Sequence, residues 1–246
     1  MFAAMGLAAA LVMTPAGASS TQEAAQAVKQ QDGADIYELR EAGTLAYVRG
    51  DFLEAIRLWR MAADEGDAKA QINLGFAYAS GLVGPPDDVE AVRWFRIAAD
   101  QGEAVAQGAL GVMYENGEGV PQNSAEAVRW YRLAADQYSS EGQFALGTMY
   151  YRGLGVPQSH SEAVRWYRLA ADQGNFKGQF ELGHMYEAGE GVPQDYVQAY
   201  KWFSLAAVQD VSAAVERRDD MIALMTPAQI AEGQRLAAEW RPRSPQ

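Results

Sequence analysis

The sequence contains no cysteine and only two histidines among its 246 residues. Without cysteine there can be no disulfides, thiolate nucleophiles or cysteine metal ligands, and no acylated cysteine to anchor the chain to a lipid. Positive charge is also scarce, and the formal net charge is −12. Because an acidic chain repels phosphate backbones, we expect no nucleic-acid partner.

Long apolar runs are absent as well. The longest, within residues 2–13, has about 12 residues, whereas a membrane-spanning helix needs about 20. It is followed by Ala16-Gly17-Ala18, the small residues that a signal peptidase reads. We therefore expect a signal peptide over residues 1–18, cleavage after Ala18, no membrane span after cleavage, and a periplasmic or secreted protein. No Lys or Arg precedes the run, which departs from the usual pattern. Residues 19–34 are predicted to be a polar linker.

An internal repeat of 36 residues dominates the rest of the chain. The block that begins Glu90-Ala-Val-Arg-Trp recurs from Glu126 and Glu162, and a diverged copy begins at Gln198. A second block, Leu-Gly-x-x-Tyr, precedes each copy, with its leucines at Leu74, Leu110, Leu146 and Leu182. The apolar spacing predicts two helices per repeat, and the second has a face wide enough to be covered on two sides. Its tryptophans are expected to lie in the core.

The connections between the two helices are equally regular. Gly-x-Gly-Val-Pro occurs at residues 117–121, 153–157 and 189–193, and a variant occupies residues 81–85. The first glycine is expected to end the first helix in a left-handed cap, and proline to prevent its continuation. The residues that follow, such as Asp87 with Glu90, predict a capping box at the start of the second helix. The glycine inside Leu-Gly-x-x-Tyr is expected to permit close approach of the second helix.

These motifs together resemble the Sel-one-like repeat (SLR) family, a relative of the tetratricopeptide repeat. The resemblance implies an all-α fold, a right-handed superhelical solenoid of helix–turn–helix repeats. It also implies a role in binding proteins or peptides, since members serve as adaptors and scaffolds. The predicted units are a tetratricopeptide-like repeat at 35–66, SLR units at 67–102, 103–138, 139–174 and 175–210, C-terminal capping helices at 211–240, and a tail at 241–246.

No pattern in the sequence indicates catalysis, and we predict neither enzyme activity, nor a cofactor, nor a metal site. Some cysteine-rich relatives have been described as penicillin-binding or β-lactamase-like, but this chain lacks cysteine and has no Ser-x-x-Lys. His160 lies where other copies have unrelated residues, which indicates a solvated surface position. A structural spacer within an envelope assembly remains the alternative to an adaptor.

Positions on the first helices that face away from the core vary between copies. The alternatives are drift without function and selection by a ligand. Such in-phase series are predicted to line a concave surface. One series is Ile72, Gly108, Phe144 and Phe180, and another is Ala79, Glu115, Tyr151 and Glu187. Exposed aromatic clusters often mark interaction sites, although partial burial against a neighbouring repeat would also explain them. The predicted protein-binding residues of the concave face are Phe144, Tyr151, Phe180 and His184.

Overall fold

The computed structural model describes residues 35–209 and 212–243, and the predicted signal peptide and linker lie outside them. The described residues form twelve helices and no strand, so the all-α prediction is confirmed. The helices are α1 (Ile36–Val48), α2 (Phe52–Asp64), α3 (Ala68–Ser80), α4 (Asp88–Asp100), α5 (Ala104–Asn116), α6 (Ser124–Asp136), α7 (Ser140–Arg152), α8 (His160–Asp172), α9 (Phe176–Ala188), α10 (Tyr196–Ala207), α11 (Ser212–Leu224) and α12 (Pro227–Glu239).

The chain divides into two compact units, one ending at Asn123 and one beginning at Ser124. In the first unit, each helix from α1 to α5 packs against the next along the chain. In the second unit, α6 through α11 pack in the same sequential manner, and α12 packs against α10. Sequential packing of helix pairs is what a repeat fold requires, since each repeat contacts mainly its neighbours.

The predicted core tryptophans are buried. Trp94, Trp130, Trp166 and Trp202 each expose 5% or less of their surface. The aromatic residue that follows each one is also buried, at Phe95, Tyr131, Tyr167 and Phe203. The wide apolar face of the second helices is therefore fully used in packing, as the spacing predicted.

The glycine of Leu-Gly-x-x-Tyr lies directly against the second helix of its own repeat. A Cβ atom at Gly75 would lie 2.5 Å from Cε1 of Phe95, and one at Gly183 would lie 2.7 Å from Cε1 of Phe203. No side chain larger than hydrogen fits at these distances. The predicted close approach is confirmed, and it outweighs the helix propensity that glycine sacrifices.

The loops confirm the helix caps but not the capping box. Gly81, Gly117, Gly153 and Gly189 end the first helices in the left-handed conformation. Asp87 accepts a hydrogen bond from the Glu90 N–H and so caps α4. The prediction that the Glu90 side chain returns this bond is wrong. The Asp87 N–H instead donates to the Tyr78 carbonyl at 3.0 Å, and Glu90 pairs with Arg93 at 3.2 Å.

The second glycine of the three Gly-x-Gly-Val-Pro loops contacts the preceding repeat, a function that the sequence did not indicate. A Cβ at Gly155 would lie 2.3 Å from the Ser124 carbonyl oxygen, and one at Gly191 would lie 2.4 Å from the His160 carbonyl carbon. Both glycines also have positive φ angles near 68°. The loop backbone therefore lies directly on the start of the previous second helix, where no Cβ can be accommodated.

Two polar contacts recur between consecutive repeats. Gln71 and Gln143 are buried, and each donates its side-chain amide to a carbonyl at the end of the preceding helix, on Ala63 and Ala135. The second contact joins Arg168 on α8 to the hydroxyl of Tyr186 on α9 at 2.5 Å. Equivalent hydrogen bonds join Arg60 to Tyr78, Arg96 to Tyr114, and Arg132 to Tyr150. The tyrosine of Leu-Gly-x-x-Tyr therefore links one repeat to the next.

The C-terminal helices continue the repeat only in part. Ser212 begins α11 36 residues after Phe176 begins α9, so the helical register persists although the motif residues are absent. The predicted N-cap of α12 is confirmed, and Thr226 and Gln229 form a complete capping box there. Helix α12 then packs on α10, with Gly233 against the ring of Tyr200. This pair covers the end of the second unit.

Candidate ligand-binding surface

The variable positions of the first helices are less exposed than the sequence suggested. Ile72 and Ala79 expose only 5% and 8% of their surfaces, so the prediction that they face outward is wrong for these two residues. Burial of these apolar side chains is favourable because it removes their surface from water. Gly108 and Glu115 of the first unit are partly exposed, but the four predicted binding residues all lie in the second unit, where the cavity described below is found.

Phe144 and Phe180 are half-buried rather than fully exposed. The Phe144 ring centroid lies 5.8 Å from that of Tyr167, and the Phe180 centroid lies 5.7 Å from that of Phe203. Each phenylalanine therefore covers the aromatic residue of its own repeat's second helix. Part of each ring contributes to packing, and only the remaining part is available to a ligand.

Tyr151 is the most exposed of the predicted binding residues, with 37% of its surface accessible. It lies at the end of α7 and stacks on His160, with ring centroids 5.1 Å apart and an interplanar angle of 23°. His160, which was expected to be a solvated surface residue, keeps 35% of its side chain exposed while one face of its ring packs against Tyr151. The Tyr151 hydroxyl is hydrogen-bonded to the carboxylate of Glu190, whose negative charge raises the pKa of Tyr151.

His184 lies between the aromatic core and a charged cluster. Its ring is 4.5 Å from Phe180 and 5.0 Å from Phe203, in edge-on contacts. Its Nδ1 is 3.3 Å from a carboxylate oxygen of Glu187. Burial lowers the pKa of His184, against the opposing effect of Glu187.

A cavity of about 570 Å³ opens beside His184, and we name it the α9 cavity. Helix α9 forms one wall, Tyr151 of α7 forms a second, and the loop after α9 with Tyr196 of α10 forms a third. Helix α11 closes the end with Arg217 and Leu224. The lining residues are Tyr151, Glu181, His184, Met185, Glu187, Ala188, Glu190, Gln194, Tyr196, Arg217 and Leu224. The volume is within the range of small-ligand pockets.

The structure thus brings two of the four predicted residues, Tyr151 and His184, to the same cavity. Phe180 lies directly behind it against His184. Phe144 lies apart, where the Lys177 ammonium is 5.8 Å from its ring centroid. The four predicted residues therefore do not form one patch. Tyr151 and His184 line the cavity, Phe180 lies behind it, and Phe144 is a separate half-buried ring.

Charged residues that the sequence analysis did not single out dominate the α9 cavity. Three carboxylates line it, and Arg217 supplies one guanidinium. Arg217 donates a hydrogen bond to Glu187 and lies 3.2 Å from Asp220. Glu190 lies 3.8 Å from Nδ1 of His160, whereas no ion pair within the described residues joins Glu181 to a cation.

One of these residues carried a signal in the sequence. Glu181 directly precedes the leucine of Leu-Gly-x-x-Tyr, where the other copies have Asn73, Ala109 and Ala145. A single charge at an otherwise uncharged repeat position indicates a local role, because the repeat itself does not require it. Arg217 carried no such signal, since it lies in a helix rich in charges of both signs.

The part of the chain that the structure describes holds no group of three or more His, Cys, Asp or Glu side chains arranged to bind a metal. Among the helices over residues 35–209 and 212–243, none is both long and apolar enough to cross a membrane. The surface described above is therefore a cavity on a helical-repeat unit, with aromatic and acidic walls.

Several solved structures resemble this chain. A Sel1 repeat protein from Oxalobacter formigenes is 28% identical, with a TM-score of 0.70, covering 82% of this chain and 85% of that one. The protective antigen c5321 of uropathogenic Escherichia coli, which displays an SLR fold, is 26% identical with a TM-score of 0.57. This chain is covered over 89% of its length but spans only 55% of c5321.

A third structure, a putative Sel1 repeat protein from Klebsiella pneumoniae, is 19% identical with a TM-score of 0.51 and supports the fold alone. The match covers 82% of this chain and 99% of the Klebsiella pneumoniae protein. No curated protein sequence matches the chain. The family model for the Sel1 repeat matches residues 38–67, 68–103, 104–139, 140–175 and 177–210. Since these segments make up most of the described residues, the chain belongs to the Sel1 repeat family.

Proposed function

We propose that this chain is an exported, non-enzymatic adaptor that binds a protein or peptide through the α9 cavity and the aromatic surface beside it. Sel1 repeats generally act in protein interactions, and the family assignment supports this class of function. The observation that carries the proposal is the α9 cavity itself, with the partly exposed Tyr151 at its wall. Aromatic side chains at the edge of a concave site are typical anchors for a partner.

The choice of residue for a test follows from burial. Truncation of Phe144 or Phe180 would remove packing against Tyr167 or Phe203, so lost binding could reflect lost stability. Tyr151 is more exposed, and its main ring contact is with His160 near the surface. It can therefore report on binding with less effect on the fold.

The test uses a photo-cross-linking amino acid in place of Tyr151, with Tyr138 as the matched control. Tyr138 exposes 51% of its surface and does not line the cavity. We expect one partner to be cross-linked from position 151 and not from position 138. With that partner purified, Tyr151→Ala is expected to weaken binding at least about tenfold at an unchanged melting temperature. Equal capture from both positions, or unchanged affinity, would contradict the proposal.

Export is the second part of the proposal and has its own measurement. The apolar run before Ala16-Gly17-Ala18 supports it. Mass spectrometry of the protein isolated from its native host is expected to show a mature N-terminus at Ser19. A protein recovered from the cytoplasm with Met1 intact would exclude export without bearing on the binding surface.

A further inference from the structure

We propose that the α9 cavity binds the guanidinium group of an arginine side chain from the partner peptide. This inference rests on the proposed function and specifies the chemistry of its partner. It follows from the charges, the aromatic walls and an internal guanidinium already held at the cavity.

The first step concerns charge. Three carboxylates line the cavity against one guanidinium, since Glu187 pairs with Arg217, Glu190 lies 3.8 Å from Nδ1 of His160, and Glu181 has neither contact. Within the described residues no ion pair joins Glu181 to a cation, although its side chain is largely withdrawn from solvent. A half-buried carboxylate with no counter-charge is unfavourable in the free protein, and a bound cation would supply the missing partner. The net charge of −12 would also steer a basic partner toward the chain.

The second step concerns position. The Tyr151 hydroxyl is hydrogen-bonded to Glu190, and both side chains line the cavity together with Glu181. A cation placed beside that hydroxyl would therefore interact with both carboxylates. The ring of Tyr196 lines the same cavity, and aromatic rings attract cations through their faces. The site thus combines two carboxylates with two tyrosines.

The third step concerns shape. Glu187 already accepts a hydrogen bond from the guanidinium of Arg217, so the cavity wall accommodates this planar group. A guanidinium can bridge two acceptors with its fixed fork of donors, which an ammonium cannot do in the same way. The cavity volume of about 570 Å³ has room for an arginine side chain beside the internal one.

The probe for the experiment is N-acetyl-arginine methylamide, titrated into isotope-labelled protein and followed by NMR. The neutral control ligand is the citrulline analogue, which has nearly the same shape. We expect shifts confined to the residues that line the α9 cavity, with at least about fivefold weaker binding of citrulline. Binding of citrulline as tight as that of arginine, or shifts spread over the surface, would overturn the inference.

The matched variants are Glu181→Gln and Glu216→Gln. Glu216 is exposed on α11, close to the cavity but outside its lining. Glu181→Gln is expected to weaken arginine binding at least about fivefold, whereas Glu216→Gln leaves it unchanged. Equal effects would show that only general charge attraction is measured and would overturn the inference. A partner cross-linked from position 151 despite failed arginine binding would preserve the proposed function and exclude this ligand alone.

Discussion

Gly147 on α7 contacts the ring of Tyr167 on α8 so closely that no side chain fits between them. A Cβ atom at Gly147 would lie 2.7 Å from Cδ1 of Tyr167 and 2.9 Å from its Cε1. Tyr167 is buried, and it also donates a hydrogen bond of 3.3 Å to Thr148. The ring is therefore held from two sides and cannot move aside easily.

We expect Gly147→Ala to destabilise the protein by about 1–3 kcal/mol, the usual cost of overpacking a core. The clash outweighs the gain in helix propensity, which is about 1 kcal/mol. Gly108→Ala is the matched control, because a Cβ there has no described atom within 4 Å. It should stabilise the protein by up to about 1 kcal/mol. Chemical denaturation measures both, and stabilisation by Gly147→Ala would contradict the packing described here.

Trp130 provides a test of the core. It exposes only 3% of its surface, and Trp130→Ala is expected to cost about 3–5 kcal/mol, as is usual for a buried large aromatic. Leu133→Ala on the same helix is the control, since Leu133 exposes 38% and should change stability much less. An unchanged denaturation midpoint for Trp130→Ala would show that the ring contributes nothing to the core.

Tyr138 adopts a backbone conformation that its repeat position normally assigns to glycine. Its φ angle is 61°, and the in-phase residues Gly66, Gly102 and Gly174 also have positive φ angles. The left-handed conformation costs a non-glycine residue about 1–2 kcal/mol. Tyr138→Gly is therefore expected to raise the unfolding free energy by up to about 1 kcal/mol, since glycine's extra unfolded-state entropy offsets part of the relief.

The control for that prediction is Tyr138→Ala, which removes the ring but keeps the strained backbone. Alanine should give no stabilisation. If glycine and alanine shift the melting temperature equally, the effect comes from the ring and not from φ.

Glu181 is expected to lower stability at neutral pH. Burial raises its pKa in the folded protein above the ordinary value of about 4.3. The folded state therefore binds the carboxyl proton of Glu181 more tightly than the unfolded chain does. The protonated carboxyl favours the folded state at low pH, and this stabilisation is lost as the pH rises through the folded-state pKa. Glu181→Gln should raise the melting temperature at pH 7 and lose this advantage below about pH 4. Other titrating groups act on both proteins, so only their difference is compared.

This prediction also separates a binding role from a structural one. If Glu181 serves only packing, its replacement should lower the melting temperature at pH 7. A higher melting temperature together with weaker arginine binding would show a residue that costs stability and contributes to recognition, a common compromise at functional sites.

The helix caps and the Gly–aromatic contacts could be predicted because they recur. Gly75 and Gly183 lie three repeats apart, and a Cβ at either would meet the ring of the phenylalanine 20 residues further along the chain, so a repeating motif reports a repeating contact. The reciprocal capping bond was predicted wrongly for the same kind of reason. The local pattern of Asp87 and Glu90 fits a capping box, but the Tyr78 carbonyl competes for the same N–H from across the loop.

The α9 cavity could be predicted only in part. Tyr151 and His184 differ from their in-phase residues, and that contrast drew attention to them. Arg217 reaches Glu187 from 30 residues away in a segment without repeat motifs, and this contact depends on where α11 lies. Phe144 and Phe180 were predicted to be exposed anchors, but their burial depends on the ring beneath each one.

By itself the sequence determined the helical-repeat class, the 36-residue register, the core tryptophans and the glycine-capped turns. Each of these follows from a local periodicity or a backbone preference that recurs from one copy of the repeat to the next. The tertiary structure alone decided how far Phe180 is covered, how α12 folds back on α10, and that Glu181 and Glu190 share a cavity with Arg217. These features occur once, beside helices α11 and α12, which lack the repeat motif, so side chains distant in sequence determine the packing there.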